Sequence, residues 1–394
     1  MVAAAMKPNA SPYVPAAGNA WQTVAPADAG FDPERLADAI AFANAHECAW
    51  PTSMYLENGE YIGTAFVEEK PPYNTVIGEV RPRGGVNGLI LRGGRIATEW
   101  GATARTDMTF SVAKSYLALV AGLAFDRGMI GSLDAPVGES VPDEGFASPH
   151  NSAITWRHLL QQTSEWQGTL WDKPDSVDHN RQAGLTHDNR QKGTVRTLEL
   201  PGTRFEYNDV RVNRLSLSLM RLWRRPLPDV LREYIMDPIG ASDAWSWRGY
   251  RNSTIAIDGQ PMESVSGGGH WGGGLFIGSR DHARIGQLML RRGAWGGRQL
   301  LSERWLRELA TPSGANPNYG FLWWLNTARK LVPTAPESSI FALGGGQNVI
   351  WVDDTHDLVL VVRWLQREHL DGMVARVLAS LTGWIASGAQ RSMK

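Results

Sequence analysis

The chain has 394 residues, 43% of them hydrophobic and 20% charged, with a formal net charge of -1. That length holds one large domain or two intermeshed ones around a sizeable core, and a charge so near zero favours neither nucleic acid nor an anionic membrane surface over a small, roughly neutral substrate. The single cysteine, Cys48, excludes an internal disulfide and any Cys-rich zinc site, reads as a packed core thiol, and is compatible with a reducing cytoplasm.

The first residues, Met1 to Ala10, lack a charged segment followed by a sustained apolar run, so no signal peptide is read and a cytoplasmic location is expected. No apolar run reaches membrane-spanning length. Residues 1–25 are rich in Ala, Pro and Asn and are expected to form a loose arm. Asp32 as N-cap and Pro33 at the first helical position predict a helix to Ala45. Gly88–Arg92, the turn Gly93-Gly94 and Arg95–Trp100 predict a hairpin. Directly after it, Ser111-Val112-Ala113-Lys114 heads an apolar helix that runs through Leu117, Val120, Leu123 and Ala124. From about 130 to 265 the pattern is mostly helices and loops, with helices around Trp156–Gln161, Val210–Arg224 and Leu227–Met236. Gly267–Gly269 and Gly272–Gly274 flank His270 and Trp271 in a flexible or close-approach loop. Asn348–Val352 and Leu358–Arg363 predict a second hairpin, and a helix follows from about Asp371 to Ala386. The expected fold is therefore α+β: an antiparallel sheet built from both termini (26–130 and 266–394) and flanked by helices, with a mostly helical insertion over 131–265. A nucleophile between two such lobes faces a cleft.

Ser111 and Lys114 supply that nucleophile and its base. Three residues apart on a helix, their side chains share a face, the positive end of the helix dipole lies beside the serine, and a lysine held neutral accepts the seryl proton. Alone, Ser-x-x-Lys is a common and mostly structural pair; a lysine at the head of a buried helix needs a reason. Proton delivery to a leaving group calls for a third residue, and Tyr207, at a turn before a helix in Glu206-Tyr207-Asn208-Asp209, is suited to it.

Taken in order, Ser111-x-x-Lys114, Tyr207-Asn208-Asp209 and the glycine-rich strand entry Ala342-Leu343-Gly344-Gly345-Gly346-Gln347 resemble the class C β-lactamase and penicillin-binding-protein superfamily of serine hydrolases. The resemblance spans about residues 30 to 388 and takes in His158–Ser164 and Gly272–Asp281. Within the superfamily the chain is most similar to the esterase and 6-aminohexanoate-oligomer hydrolase branch. The resemblance implies a β-lactamase/transpeptidase-like fold and an acyl-enzyme mechanism without cofactor or metal. Ser111 then attacks, Lys114 takes its proton, Tyr207 passes a proton to the leaving group, and the backbone N–H groups of Ser111 and Gly344 form the oxyanion hole.

Two departures stand out. Where relatives that recognise penicillin carry Lys-Thr-Gly or His-x-Gly, this chain reads Ala342-Leu343-Gly344; where they read Tyr-x-Asn, Asp209 takes the third place. An ionised Asp209 facing Lys114 would hold it protonated, and an Asp209 turned away would cap the next helix. Trp171, Asp209, His270, Trp271 and Gly345 are candidate substrate contacts. For Trp166, Trp171 and Trp271 both packing and cleft lining are open, and for His270 both a backbone-bonded loop position and the cleft edge. Asp172–Asp175 and Asp178–Arg181 read as a solvated loop network. The function expected is hydrolysis of a small ester or amide; the rivals are a D-amino-acid peptidase or weak β-lactamase, or a non-catalytic ligand-binding member of the fold. A homodimer is compatible with the sequence.

Overall fold

In the computed structural model, which describes residues 13–18, 20–183 and 188–382, six strands form one antiparallel sheet. Its strands are β1 (Asn87–Arg92), β2 (Arg95–Trp100), β7 (Trp324–Leu325), β8 (Ile340–Gly344), β9 (Asn348–Asp353) and β10 (Leu358–Arg363), in the spatial order β7-β8-β9-β10-β1-β2. Both predicted hairpins are present, β1 with β2 and β9 with β10, and the pairing of β1 with β10 joins the two ends of the chain. Every residue of β9 and β10 is buried, which accounts for their nearly continuous Val, Leu and Ile content.

Helix α1 (Pro33–Ala45) starts where its capping signal places it, the Asp32 carboxylate accepting from the Glu34 and Arg35 N–H groups. It packs on α6 (Leu370–Ala379), and α5 (Ser279–Leu290) lies across β9, β10 and β1. Of the expected last helix, the part beyond residue 382 lies outside the described residues. Helix α2 (Val112–Asp126) is the central strut: Val112 to Ala124 are all buried between β8 and helix α4 (Asp209–Trp223). A fully buried leucine such as Leu117 contributes on the order of 1.5–3 kcal/mol relative to exposure. The polar members of α2 are kept by specific partners, Ser115 donating to the Leu322 carbonyl at 2.8 Å.

Two expectations change. Residues 246–265, read as helix and loop, form the strands β4 (Ser246–Ile257) and β5 (Gln260–Val265), joined through β6 (Gly274–Ile277) to β3 (Asp107–Met108) in a four-stranded sheet. This second sheet delivers β3 directly to the head of α2. The described part of the arm, 13–18 and 20–25, is docked on the domain. Trp21 is buried and donates to the Gly94 carbonyl at 2.8 Å, while the Arg284 guanidinium donates to the Gly18 carbonyl, also at 2.8 Å. A single large apolar side chain and a buried arginine outweigh the loop-like composition around them.

Candidate active site

The path from β3 into α2 is set by a strained residue and a buried cation. Phe110 has a positive φ of 50°, a conformation costly for a bulky side chain, and it turns the chain so that Ser111 stands at the first turn of α2. Beneath the turn, the fully buried Arg363 guanidinium donates to the Met108 carbonyl and the Asn348 side chain, both at 2.7 Å, and to the Ile277 carbonyl. Burial lowers that guanidinium to about 10, which leaves it cationic at neutral pH. It ties β10, β9, β6 and β3 together two residues before the strained Phe110.

Ser111, Tyr207, Leu343, Gly344 and Gly345 line a cavity of about 590 Å³. Lys114 lies beneath it, buried, with its Nζ donating to Ser111 Oγ at 2.9 Å. Gly344 meets the turn at Ser111 closely: a Cβ built there would stand 2.2 Å from the Thr109 carbonyl oxygen and 3.2 Å from the Ser111 nitrogen. Only glycine lets this strand end lie against the helix start. The first turn of α2 is closed by Val112, Ala113 and Lys114 donating to Thr109, Phe110 and Ser111, so the Ser111 N–H is not used by these bonds. Tyr207 lays its ring over Lys114, Nζ lying 4.7 Å from the centroid, and stacks on Trp324 at 5.8 Å. Its hydroxyl makes no hydrogen bond among the described residues.

Asp209 faces Lys114, with Oδ1 2.5 Å from Nζ. The capping role goes to its neighbour: the Asn208 side chain accepts from the Arg211 N–H at 3.1 Å. With the cap one residue earlier, Asp209 occupies the first helical position and points inward. Its Oδ2 accepts from His270 Nδ1 at 2.5 Å and lies 3.0 Å from Arg181 Nη1. Burial by itself would raise this carboxyl, but Arg181, Lys114 and His270 together hold it well below the usual carboxylate range. Gly268 makes room for it, since a Cβ there would stand 2.9 Å from Oδ2.

Around this pair lies a buried ion network. Asp178 accepts from the Asp209 N–H at 2.8 Å and pairs with Arg181 at 3.2 Å, and Lys192 pairs with Glu69 at 2.8 Å and Asp178 at 3.4 Å. Glu69, Asp178 and His270 bring polar atoms within 4.8 Å of one another, and the Lys192 ammonium, paired with both carboxylates, supplies the positive charge among them.

Several expected positions are corrected. The His270 side chain is neither bonded to backbone nor at the cleft edge, but buried behind Ser111 and Lys114 in the ion network. Trp271 is fully buried, donating to the Tyr73 carbonyl at 2.9 Å and lying tilted against the His270 ring with centroids 3.7 Å apart. Trp166 is buried with its N–H on the Gly145 carbonyl, and half-buried Trp171 packs against the core; neither lines the cavity. The tryptophans that do line it are Trp50 and Trp324. Of the stretch read as a solvated loop, Lys173, Asp175, Asp178 and His179 are buried: Asp175 pairs with His179 and Asp178 with Arg181, Lys173 donates to the Tyr73 and Thr75 carbonyls, and Arg181 both pairs with Asp209 and lines the cavity. The density of opposite charges over 172–181 was the available signal for this network. Gly345 lines the cavity.

Residues 78–379 match the family model for β-lactamase. The chain belongs to the β-lactamase family. It is 25% identical over 300 residues to the 6-aminohexanoate-dimer hydrolase of Paenarthrobacter ureafaciens, covering 69% of this chain and 70% of that one. Among solved structures it resembles EstCE1, a hydrolase with promiscuous acyltransferase activity, with a TM-score of 0.52 and 18% identity, over 76% of this chain and 93% of that one. A penicillin-binding protein homologue from Caulobacter crescentus gives a TM-score of 0.54 and 14% identity, over 81% of this chain and 97% of the other. These neighbours share the β-lactamase/transpeptidase-like fold. Among the described residues no helix is long and apolar enough to cross a membrane.

Proposed function

We propose that this β-lactamase-family hydrolase cleaves esters or small amides through an acyl-serine on Ser111. The observation that carries the reading is the Ser111 Oγ to Lys114 Nζ hydrogen bond of 2.9 Å at the floor of a cavity. In acylation the Oγ–H proton passes to a neutral Lys114 amine as Oγ bonds to the substrate carbonyl carbon. The resulting oxyanion is met by the Ser111 and Gly344 N–H groups, which together supply several kcal/mol. Tyr207, over Lys114 and open to the cavity, hands a proton to the departing alcohol or amine, and water then releases the acid by the reverse relay.

Trp50, Phe66, Leu343 and Trp324 give the cavity an apolar wall suited to an apolar or aromatic acyl group. One feature favours a second reading, a D-amino-acid peptidase or weak β-lactamase: Arg367 lines the same cavity and, although burial lowers it to about 10, carries a cation able to meet a substrate carboxylate. The test is hydrolysis of an ester and an anilide with the same short acyl chain, by wild type and Ser111→Ala, with nitrocefin alongside. Loss of both activities in the variant supports the acyl-serine. Equal rates in the variant overturn it, and nitrocefin turnover by the wild type selects the second reading.

A further inference from the structure

The buried network holds three fixed anions, Asp209, Asp178 and Glu69, and two fixed cations, Arg181 and Lys192. A third positive charge balances it, and two groups are placed to carry that charge: Lys114, on Asp209 Oδ1, and His270, on Asp209 Oδ2. Their contacts differ in kind. Lys114 Nζ lies 2.5 Å from Oδ1, yet Oδ1 has no aligned hydrogen bond among the described residues. His270 Nδ1 donates to Oδ2 in a true hydrogen bond of 2.5 Å. The far nitrogen of the ring, Nε2, is buried 3.3 Å from Glu69 Oε2 with no hydrogen-bond partner among the described residues. A neutral ring that donates from Nδ1 leaves the Nε2 lone pair facing a carboxylate, whereas an imidazolium gives both carboxylates an N–H.

We propose that Asp209 joins Lys114 and His270 into one protonic unit, in which the network's third positive charge rests on His270 whenever Lys114 is the neutral base. The idea rests on the acyl-serine reading above. The two states hold the same number of protons: in one Nζ is an ammonium and the ring is neutral, in the other Nζ is an amine with its lone pair free for the Ser111 proton and the ring is an imidazolium. A neutral Lys114 therefore leaves no uncompensated buried anion, the cost that an aspartate at this position would otherwise impose. His270 is thus a positioning residue that acts through Asp209. The groups facing the unit are Asp178, Arg181 and Lys192 from the segment before α4, Glu69 from the loop after Phe66, and the Tyr207 ring; the Trp271 ring lies tilted against His270 with centroids 3.7 Å apart, and Lys173 lies 5.1 Å from the Trp271 ring centroid.

The test compares the pH dependence of kcat/KM for ester hydrolysis in wild type, His270→Gln, Asp209→Asn and the double variant, with Ser111→Ala as a control. Glutamine keeps a donor for Asp209 but cannot take the charge, so the acidic limb should move up by about one pH unit, roughly a tenfold loss below the limb. Adding Asp209→Asn removes one anion together with the lost cation and should return the limb to its wild-type position. A uniform loss at every pH, with no movement of the limb and no return in the double variant, overturns the proposal. In an independent readout, the ¹⁵N spectrum of histidine-labelled enzyme should show one buried imidazole protonated on both nitrogens at the pH of activity, absent from the double variant. A His270 ring with a bare nitrogen across that whole range also overturns it. If Ser111→Ala hydrolyses ester at the wild-type rate, the acyl-serine reading itself has failed, and the spectrum still decides the charge on His270.

Discussion

Replacing Gly344 by alanine should strike the chemical step and little else. The added Cβ would stand 2.2 Å from the Thr109 carbonyl oxygen, about 1 Å inside the ~3.3 Å at which a carbon and a carbonyl oxygen normally meet. That carbonyl also accepts the Val112 N–H at 3.3 Å, so it cannot retreat without disturbing the first turn of α2, and the relief falls on the end of β8. A shift of about 1 Å in a reacting geometry costs roughly 10²-fold, and loss of one oxyanion donor about 10²–10³-fold, so Gly344→Ala should lower kcat on a short-chain p-nitrophenyl ester by about two orders of magnitude. Steady-state kinetics measure this, with a thermal melt to show that the variant is folded. The neighbouring Gly345→Ala is the control: its Cβ would stand 2.9 Å from the Trp50 ring, so it should raise KM for bulky acyl groups while sparing kcat. A folded Gly344→Ala enzyme with kcat within about threefold of wild type would refute the placing of an oxyanion donor at this strand end.

Two further outcomes follow from the packing around the site. Glu165 is buried; burial alone would raise its carboxyl, but Arg196 and Arg211 hold it down to about 2 against an ordinary 4.5. A depressed carboxyl contributes stability that is complete above its unfolded value and is lost as pH falls through the folded one, here about 3 kcal/mol between about pH 4.5 and 2. Glu165→Gln should therefore lower the urea midpoint at pH 7 and flatten its dependence on acid across that window; an unchanged acid dependence would contradict the pairing. Trp324→Ala removes the face on which Tyr207 stacks and should reduce kcat for an anilide more than for a matched ester, because amine departure depends more on a well-placed proton donor; equal losses on the two substrates would show that Tyr207 is held by other contacts.

What could be read before folding was local. The Asp32 cap, the Gly93-Gly94 turn and the three-residue step from Ser111 to Lys114 are settled by neighbours in the chain, and each appears where its pattern places it. The site's electrostatics depend on contacts that no window of sequence contains. Asp209 meets His270 from 61 residues away, and Lys192 meets Glu69 from 123 away. The direction in which Asp209 points was undecidable because either Asn208 or Asp209 can cap a helix, and the choice of Asn208 turns the carboxylate inward. The tryptophans of the cavity are Trp50 and Trp324 rather than those beside the glycine runs: Gly268 makes room for the Asp209 carboxylate, and Gly272 and Gly273 lie against the backbones of Gly78 and Gly249, so that run packs instead of opening a cleft.

A covalent acyl group on Ser111 is directly detectable by mass spectrometry of enzyme quenched in acid during turnover of an activated ester. An acyl-serine gives a mass gain equal to the acyl group, located on the peptide that contains Ser111 and absent from Ser111→Ala. No adduct during measurable turnover, or the same adduct in the variant, would contradict it.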